Sequence, residues 1–145
     1  DLVHAALERV GMADLRQRQI GELSGGQRRR AFIARALAQE AELLILDEPF
    51  SGVDASAQAS LMDVLDQLNA GGLTILLSTH DIDLAFARFS KVMALRRHLI
   101  AFGDPRAVLT ADTLAHIYGH RVMTWQDGQE VAVFVDEHHC ENCPD

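Results

Sequence analysis

Two short aliphatic segments constrain the fold of this chain more than any other feature of its sequence. Residues 43–47 read LLILD and residues 73–78 read LTILLS, and both suit strands that are buried on both faces of a parallel sheet. Between them, Asp54 could cap a helix in which four apolar residues recur at the i, i+3, i+4, i+7 spacing of one face: Leu61, Val64, Leu65 and Leu68. The sequence therefore predicts a strand–helix–strand unit with parallel strands.

Apolar patterning predicts further helices and strands on both sides of this unit. The predicted helices span 2–10, Ser24 (the N-cap) to about Gln39, and 81–88, and the predicted strands span 91–95 and 98–102. Because strands alternate with helices, we expect an α/β fold with right-handed crossovers and a parallel sheet covered by helices. Beyond residue 119, RVMTW and EVAVFV flank QDGQ, which predicts a hairpin turning at Asp127-Gly128 and then a polar tail. We therefore expect a main domain, 1–119, and an extension, 120–145.

Composition excludes several classes of protein. A chain of 145 residues, of which 48% are hydrophobic, suits one globular domain. The net charge of −8 argues against a general nucleic-acid binder, so the arginine-rich stretch at 28–35 is predicted to be a solvated helix face. The longest unbroken aliphatic run, 43–46, is far too short to span a bilayer. Both cysteines, Cys140 and Cys143, lie near the end of the sequence, which favours a fold without disulfides in a reducing, cytoplasmic setting.

Acidic residues and a histidine follow the two aliphatic segments. Asp47 and Glu48 come directly after the first segment, and His80 follows the second. Since open α/β sheets bind ligands at the carboxyl ends of their strands, we expect these side chains at one edge. There, one carboxylate could hold Mg²⁺, the other could orient or deprotonate a water molecule, and the imidazole could hydrogen-bond a phosphoryl oxygen. Singly, each residue is also explained as a solvated strand end or a cap.

A glycine-rich stretch, LSGGQ at residues 23–27, has the composition of a phosphate-binding loop. Ser24, Gly25 and Gly26 would offer a hydroxyl and backbone N–H groups at a helix start, where the helix dipole favours anions. No GxxxxGK followed by Ser or Thr occurs in the sequence, and its only lysine, Lys91, is far away. Taken alone, the stretch is equally a serine-capped helix after a turn.

Four motifs taken together carry a family resemblance. LSGGQ, LLILDEP, SGVD and STHD follow one another in this order. The sequence thereby resembles the ATP-binding cassette (ABC) ATPases over about residues 1–119. In this resemblance 23–27 is the signature motif, 43–48 the Walker B strand, 51–54 the D-loop and His80 the switch histidine. The implied fold is P-loop NTPase-like.

The resemblance implies an ATP site shared between two chains. Two cassettes lie head to tail, and each ATP is held between the Walker A loop of one and the signature motif of the other, so the glycine stretch needs no lysine of its own. The resemblance assigns Mg²⁺ binding to Asp47, a general-base or water-positioning role to Glu48 and γ-phosphate contact to His80. Asp54 would couple the two sites across the interface. The residues contacting nucleotide in trans would be Ser24, Gly25, Gly26 and Gln27.

Finer details resemble one branch of the family. EPFSGVD, LIAFGDP and LAHIYG are similar to ATPases that serve manganese, zinc or iron uptake. The implied ligands are ATP and Mg²⁺. The implied partners are a second ATPase subunit, an integral membrane permease and an extracytoplasmic metal-binding protein, and nucleic acid is not among them. The chain itself would be cytoplasmic, at the inner face of the cell membrane. Because the Walker A loop precedes the signature motif in the family, we expect this sequence to be a piece of a longer one and the isolated chain to be inactive.

Two other functions stay open on the sequence. One is a non-transport ABC-type ATPase of DNA repair or chromosome maintenance, although residues 28–46 leave no room for a coiled-coil insertion. The other is a truncated, non-catalytic half-cassette.

The tail sequence HHCENC places Cys140 and Cys143 beside two histidines, all ligand types that zinc accepts. Because such closely spaced ligands rarely surround one ion, adventitious metal affinity is favoured over a metal-sensing site.

Overall fold

The computed structural model describes residues 1–118, 122–127 and 130–135. The chain divides into two compact units, Asp1–His80 and Asp81–Asp145. The division into 1–119 and 120–145 that the sequence suggested stays a prediction. Within the described residues, no helix combines the length and the apolar character needed to cross a membrane.

From α2 onwards, the first unit alternates helices and strands, as predicted. Its elements are α1 (Leu2–Arg9), α2 (Gly25–Ala38), β1 (Leu43–Leu46), α3 (Ala55–Ala70) and β2 (Thr74–Leu77), with 3₁₀ turns at Ala13–Leu15 and Ile20–Glu22. Each α-helix follows an N-cap residue whose side chain accepts a backbone N–H of the first turn: Asp1, Ser24 and Asp54. The two caps predicted from the sequence, Ser24 and Asp54, are therefore confirmed.

β1 and β2 form a parallel pair in which Leu46 lies beside Leu77. This confirms the predicted strand–helix–strand unit. Helix α3 connects the two strands and packs against β2 and α2. The core of the unit includes Ile33, Leu44 and Leu68, whose side chains are almost fully buried. The hydrophobic stripe of α3 thus faces the sheet, as its spacing indicated.

The prediction that both strands are buried on both faces is wrong for this structure. Leu44 is 6% exposed, but Leu43 and Ile45, which point to the opposite face, are 49% and 67% exposed. Leu76, beside Ile45 in the register, is 40% exposed. A continuous aliphatic run supplies apolar side chains to both faces of a sheet. In the first unit, the face that carries Leu43 and Ile45 is nevertheless left exposed.

Within its described residues, the second unit combines short helices with two antiparallel strand pairs. The elements are α4 (Ile82–Arg88), β3 (Val92–Leu95), β4 (Leu99–Gly103), α5 (Pro105–Val108), α6 (Ala111–Tyr118), β5 (Val122–Asp127) and β6 (Glu130–Val135). The sequence predicted β3 as a further strand of a parallel sheet, but β3 pairs with β4 in antiparallel orientation. Residues 96–98 join the two strands, and such a short connection suits antiparallel strands because a parallel pair needs a long crossover.

The predicted carboxy-terminal hairpin strands are present. β5 and β6 pair in antiparallel orientation, with Asp127 opposite Glu130. Gly128, predicted at the turn, lies outside the described residues, as does the polar tail that contains Cys140 and Cys143. The antiparallel pairing is confirmed, and the metal affinity of the tail stays a prediction.

Candidate functional site

The carboxyl ends of β1 and β2 lie side by side. Because Leu46 is paired with Leu77, the chain leaves both strands at the same level. The backbone N–H of Ser78 continues the ladder and donates to the Leu46 carbonyl at 2.9 Å. Asp47 and Ser78 are therefore the first residues beyond the sheet on adjacent strands.

The side chain of Ser78 links the two acidic residues. Its hydroxyl donates a hydrogen bond to Asp47 Oδ1 at 2.6 Å and accepts one from the Glu48 backbone N–H at 2.9 Å. Hydrogen bonds from a hydroxyl to a carboxylate are short and comparatively strong. Ser78 is the last residue of the predicted strand 73–78 and the first residue of STHD, but the sequence analysis assigned it no role. The available signal was this place at the end of a strand predicted to run parallel to β1.

Glu48 combines an uncommon backbone conformation with a histidine neighbour. Its φ angle is +40°, in the left-handed region that residues with a Cβ atom seldom adopt. Its carbonyl accepts a hydrogen bond from the Ser51 N–H at 3.1 Å, and its Oε1 lies 3.4 Å from Nδ1 of His80. The Glu48 and His80 side chains are 49% and 75% exposed. A contact between side chains this exposed contributes little to stability, but both groups are open to a ligand.

Four side chains thus form one cluster, which we call the acidic edge: Asp47, Glu48, Ser78 and His80. Its donor set fits Mg²⁺ that is also held by a phosphate ligand, because such ions take one or two protein carboxylates and keep several waters. Asp47 supplies one exposed carboxylate, hydrogen-bonded to Ser78. The acidic edge does not fit a closed metal centre, since no group of three or more His, Cys, Asp or Glu in the described part of the chain could hold an ion.

The glycine-rich stretch forms the start of α2. The Ser24 hydroxyl accepts the Gln27 N–H at 3.2 Å, while Gln27 Oε1 accepts the Ser24 N–H at 3.0 Å. This reciprocal pair is a capping box. A Cβ atom built on Gly25 or Gly26 would meet nothing within 4 Å, so the space around this turn is open. The diglycine turn is therefore accessible and not packed into the core.

The start of α2 and the acidic edge are separate features of the first unit. No hydrogen bond recorded for the described residues joins 24–27 to the acidic edge. Asp54 is the N-cap of α3, where its Oδ1 accepts the Ala57 N–H at 2.9 Å. The structure thus brings together the acidic pair and the histidine, and it leaves the glycine turn as a second, distinct surface.

Two arginines of α2 contact the segment that follows β1. The Arg29 guanidinium donates to the Ser51 carbonyl, in the turn before α3, and the Arg30 guanidinium donates to the Ser60 hydroxyl on α3. A solvated face was the prediction for this arginine-rich stretch, and for these two residues it is incomplete. Their partners lie 22 and 30 positions further along the chain, at a distance that local sequence patterns do not reach.

Relatives with assigned names align with most of the length of this chain. A family model described as ABC transporter matches residues 1–51. The manganese transport system ATP-binding protein MntB of Halalkalibacterium halodurans is 44% identical over 132 residues, which are 91% of this chain and 53% of that protein. The corresponding MntA of Synechocystis is 47% identical over 118 residues, which are 81% of this chain and 45% of that protein. The chain spans about half the length of these relatives.

Solved structures share the fold. An ABC transporter described as being of the metal-chelate type, in an inward-facing conformation, matches with a TM-score of 0.76 at 28% identity, over 92% of this chain and 56% of that one. The strand–helix–strand unit with its acidic edge accordingly belongs to a P-loop NTPase fold. Motif order, architecture and relatives agree, and the chain belongs to the family of ABC transporter ATPase domains.

Proposed function

We propose that this chain supplies part of the ATP-hydrolysing subunit of an ABC transporter that imports a divalent transition metal. The observation that carries the proposal is the acidic edge, where two carboxylates and an imidazole meet at the carboxyl ends of parallel strands. Ligands of open α/β sheets bind at this kind of edge. Three exposed groups with separate hydrogen-bonding capacities suit a ligand that carries phosphate, a cation and a reacting water.

Within the acidic edge, the two carboxylates and the imidazole each have one role in ATP hydrolysis. Asp47 would hold Mg²⁺ with its carboxylate; when bound, the ion neutralises charge on the phosphates. Glu48 would orient the attacking water or accept its proton. His80 would hydrogen-bond the terminal phosphoryl group, and its 3.4 Å approach to Glu48 supports a shared ligand for the two side chains.

The start of α2 would contact a different ATP, bound mainly by a second subunit. Because the Ser24 hydroxyl accepts the Gln27 N–H, its own proton is available to donate to a phosphate oxygen. Gly25 and Gly26 add backbone N–H groups at the positive end of the helix dipole, with open space around them. Gln27 would lie beside them as a further contact to the nucleotide, and its side chain also holds Ser24 in place. Asp54, which caps α3, would transmit changes between the two subunits.

Manganese heads the list of candidate substrates, because the relatives named above are called manganese transport proteins. A transporter of this class requires a membrane permease, and for uptake we expect an extracytoplasmic metal-binding protein as well. The subunit would then lie on the inner face of the membrane, bound through the permease. The net charge of −8 supports a function without nucleic acid.

Phosphate release from Mg-ATP tests the proposal. We expect no turnover by the purified chain alone, because its sequence lacks the lysine-bearing loop that positions phosphates. In the complete cassette, meaning this chain together with a Walker A segment, we expect turnover that Glu48→Gln lowers by about 10²-fold or more. Glu42→Gln, an exposed acid before the opposite end of β1, is the matched control and should have no effect.

Two results would contradict the proposal. One is turnover by the purified chain alone that Glu48→Gln abolishes, since the site would then need no further segment. The other is a complete cassette that folds and binds Mg-ATP but hydrolyses it equally well with Glu48→Gln, since the acidic edge would then have no part in the chemistry.

A further inference from the structure

We propose that Ser78 is a positioning residue for both carboxylates of the acidic edge, and this inference rests on the proposed function. Neither the motifs nor the comparisons assign Ser78 a role. Its hydroxyl is the group through which the end of β2 holds the two residues that follow β1. Ser78 would thereby determine where the cation-binding and water-orienting groups lie, without touching the substrate itself.

The sheet holds the backbone of Ser78 in place independently of its side chain. Its N–H donates to the Leu46 carbonyl as the last bond of the β1–β2 ladder. The Ser78 hydroxyl is therefore held close to Asp47 by the position of its own backbone. A hydroxyl has one donor and two acceptor sites. Here the hydroxyl donates to Asp47 and accepts from the Glu48 N–H, so a single side chain is hydrogen-bonded to two successive residues.

The contact with Glu48 stabilises a backbone conformation that is otherwise unfavourable. A φ of +40° in a residue with a Cβ atom persists where surrounding contacts enforce it. Two hydrogen bonds do so here: the Glu48 N–H is held by Ser78 and the Glu48 carbonyl by the Ser51 N–H. With both ends of the residue held, the Glu48 side chain is directed to His80. Loss of the Ser78 hydroxyl would release one of these two restraints.

The contact with Asp47 restricts the rotation of its carboxylate. The hydroxyl occupies Oδ1 at 2.6 Å, and no hydrogen bond to Oδ2 is recorded for the described residues. The carboxylate therefore presents one oxygen to the protein and the other to a ligand. An alanine at position 78 would leave Asp47 exposed and free to turn, which would weaken the orientation of any cation it holds without removing the charge.

Amide hydrogen exchange in the 145-residue chain tests the contact without requiring catalysis. Ser78→Ala should raise the exchange rate of the Glu48 amide by about tenfold, because its acceptor is removed. Ser78→Thr keeps a hydroxyl and should stay within about threefold of the original rate. Ser90→Ala, another exposed serine, is the matched control and should leave the rate unchanged. An unchanged Glu48 rate in Ser78→Ala would overturn the inference.

Turnover by the complete cassette tests the consequence. We expect Ser78→Ala to lower kcat by about tenfold or more, with a smaller change in KM for ATP and a higher Mg²⁺ requirement, and Ser78→Thr to restore most of the activity. Wild-type turnover that Ser78→Ala leaves unchanged would overturn the inference and leave the proposed function standing. Absence of wild-type turnover would instead refute the proposed function, while the exchange experiment would still decide whether Ser78 holds Glu48.

Discussion

Replacement of Ser24 separates the structural role of the signature motif from its role in binding phosphate. The capping box consists of two hydrogen bonds, Gln27 N–H to Ser24 Oγ at 3.2 Å and Ser24 N–H to Gln27 Oε1 at 3.0 Å. Ser24→Ala removes the first and leaves an orphan donor in the first turn of α2. The expected loss is about 1 kcal/mol in the free energy of unfolding, the usual cost of replacing a good N-cap by alanine.

Urea denaturation of the purified chain, followed by circular dichroism, measures this loss. With a denaturant slope of about 1–3 kcal/mol per M, the midpoint should fall by about 0.3–1 M urea in Ser24→Ala. Ser24→Asp keeps an acceptor at the N-cap and should stay within about 0.5 kcal/mol of the original stability. Its carboxylate would repel phosphate, however, so in the complete cassette Ser24→Asp should lose turnover while remaining as stable as the original protein.

An unchanged urea midpoint in Ser24→Ala would refute the reasoning about the cap. Full turnover with Ser24→Asp would refute the reasoning about phosphate, because a negative charge at this position cannot coexist with a bound phosphate at no cost. Gln27→Ala provides the internal control. It removes the second bond of the box and one proposed nucleotide contact, but it keeps the Ser24 hydroxyl and adds no charge. It should therefore lower stability modestly and lower turnover less than Ser24→Asp does.

Three further predictions concern stability. Leu68→Ala, at a side chain only 1% exposed, should cost about 2–5 kcal/mol by urea denaturation. Arg29→Leu should lower the free energy of unfolding by about 0.5–1.5 kcal/mol, since the Ser51 carbonyl loses its donor, whereas Arg28→Leu should not. Partial burial of Tyr118, which is 38% exposed, raises the pKa of its hydroxyl above the usual 10.0. The unfolded chain therefore loses this proton first, so stability should fall as pH rises above about 10, and Tyr118→Phe should reduce that fall.

Each of these has a contradicting result. A loss below about 1 kcal/mol in Leu68→Ala would mean that the core of the first unit can collapse around the deletion. Equal effects of Arg29→Leu and Arg28→Leu would show that general charge, and not the contact with Ser51, is responsible. Identical pH profiles for Tyr118→Phe and the original chain would show that the phenol is not desolvated.

Local sequence patterns were sufficient for the elements that build the site. The unbroken aliphatic runs marked β1 and β2, the i, i+3, i+4, i+7 stripe marked α3, and Ser24 and Asp54 marked two helix starts. These features depend on neighbours within a few positions. Parallel pairing then brought Asp47 and His80 to one edge because the carboxyl ends of parallel strands coincide.

Contacts between distant positions were not predictable in the same way. Ser78 acts on residues 31 and 30 positions earlier, and Arg29 reaches a carbonyl 22 positions later, so neither contact leaves a local pattern. The antiparallel pairing of β3 with β4 could have been recognised, because the predicted strands 91–95 and 98–102 leave only two residues between them and a parallel pair needs a long crossover. The capping box could also have been recognised from the sequence, because Ser24 and Gln27 have its characteristic spacing.

Mixing two inactive variants of the complete cassette tests most directly the central claim that two chains share each ATP site. Ser24→Asp damages only the surface offered to the partner, and Glu48→Gln damages only the acidic edge. If the site is shared, a mixed dimer contains one site with both defects and one with neither, so the mixture should regain phosphate release that each variant lacks alone. If each chain forms its own site, every site in the mixture carries a defect, and absence of recovery would contradict the account.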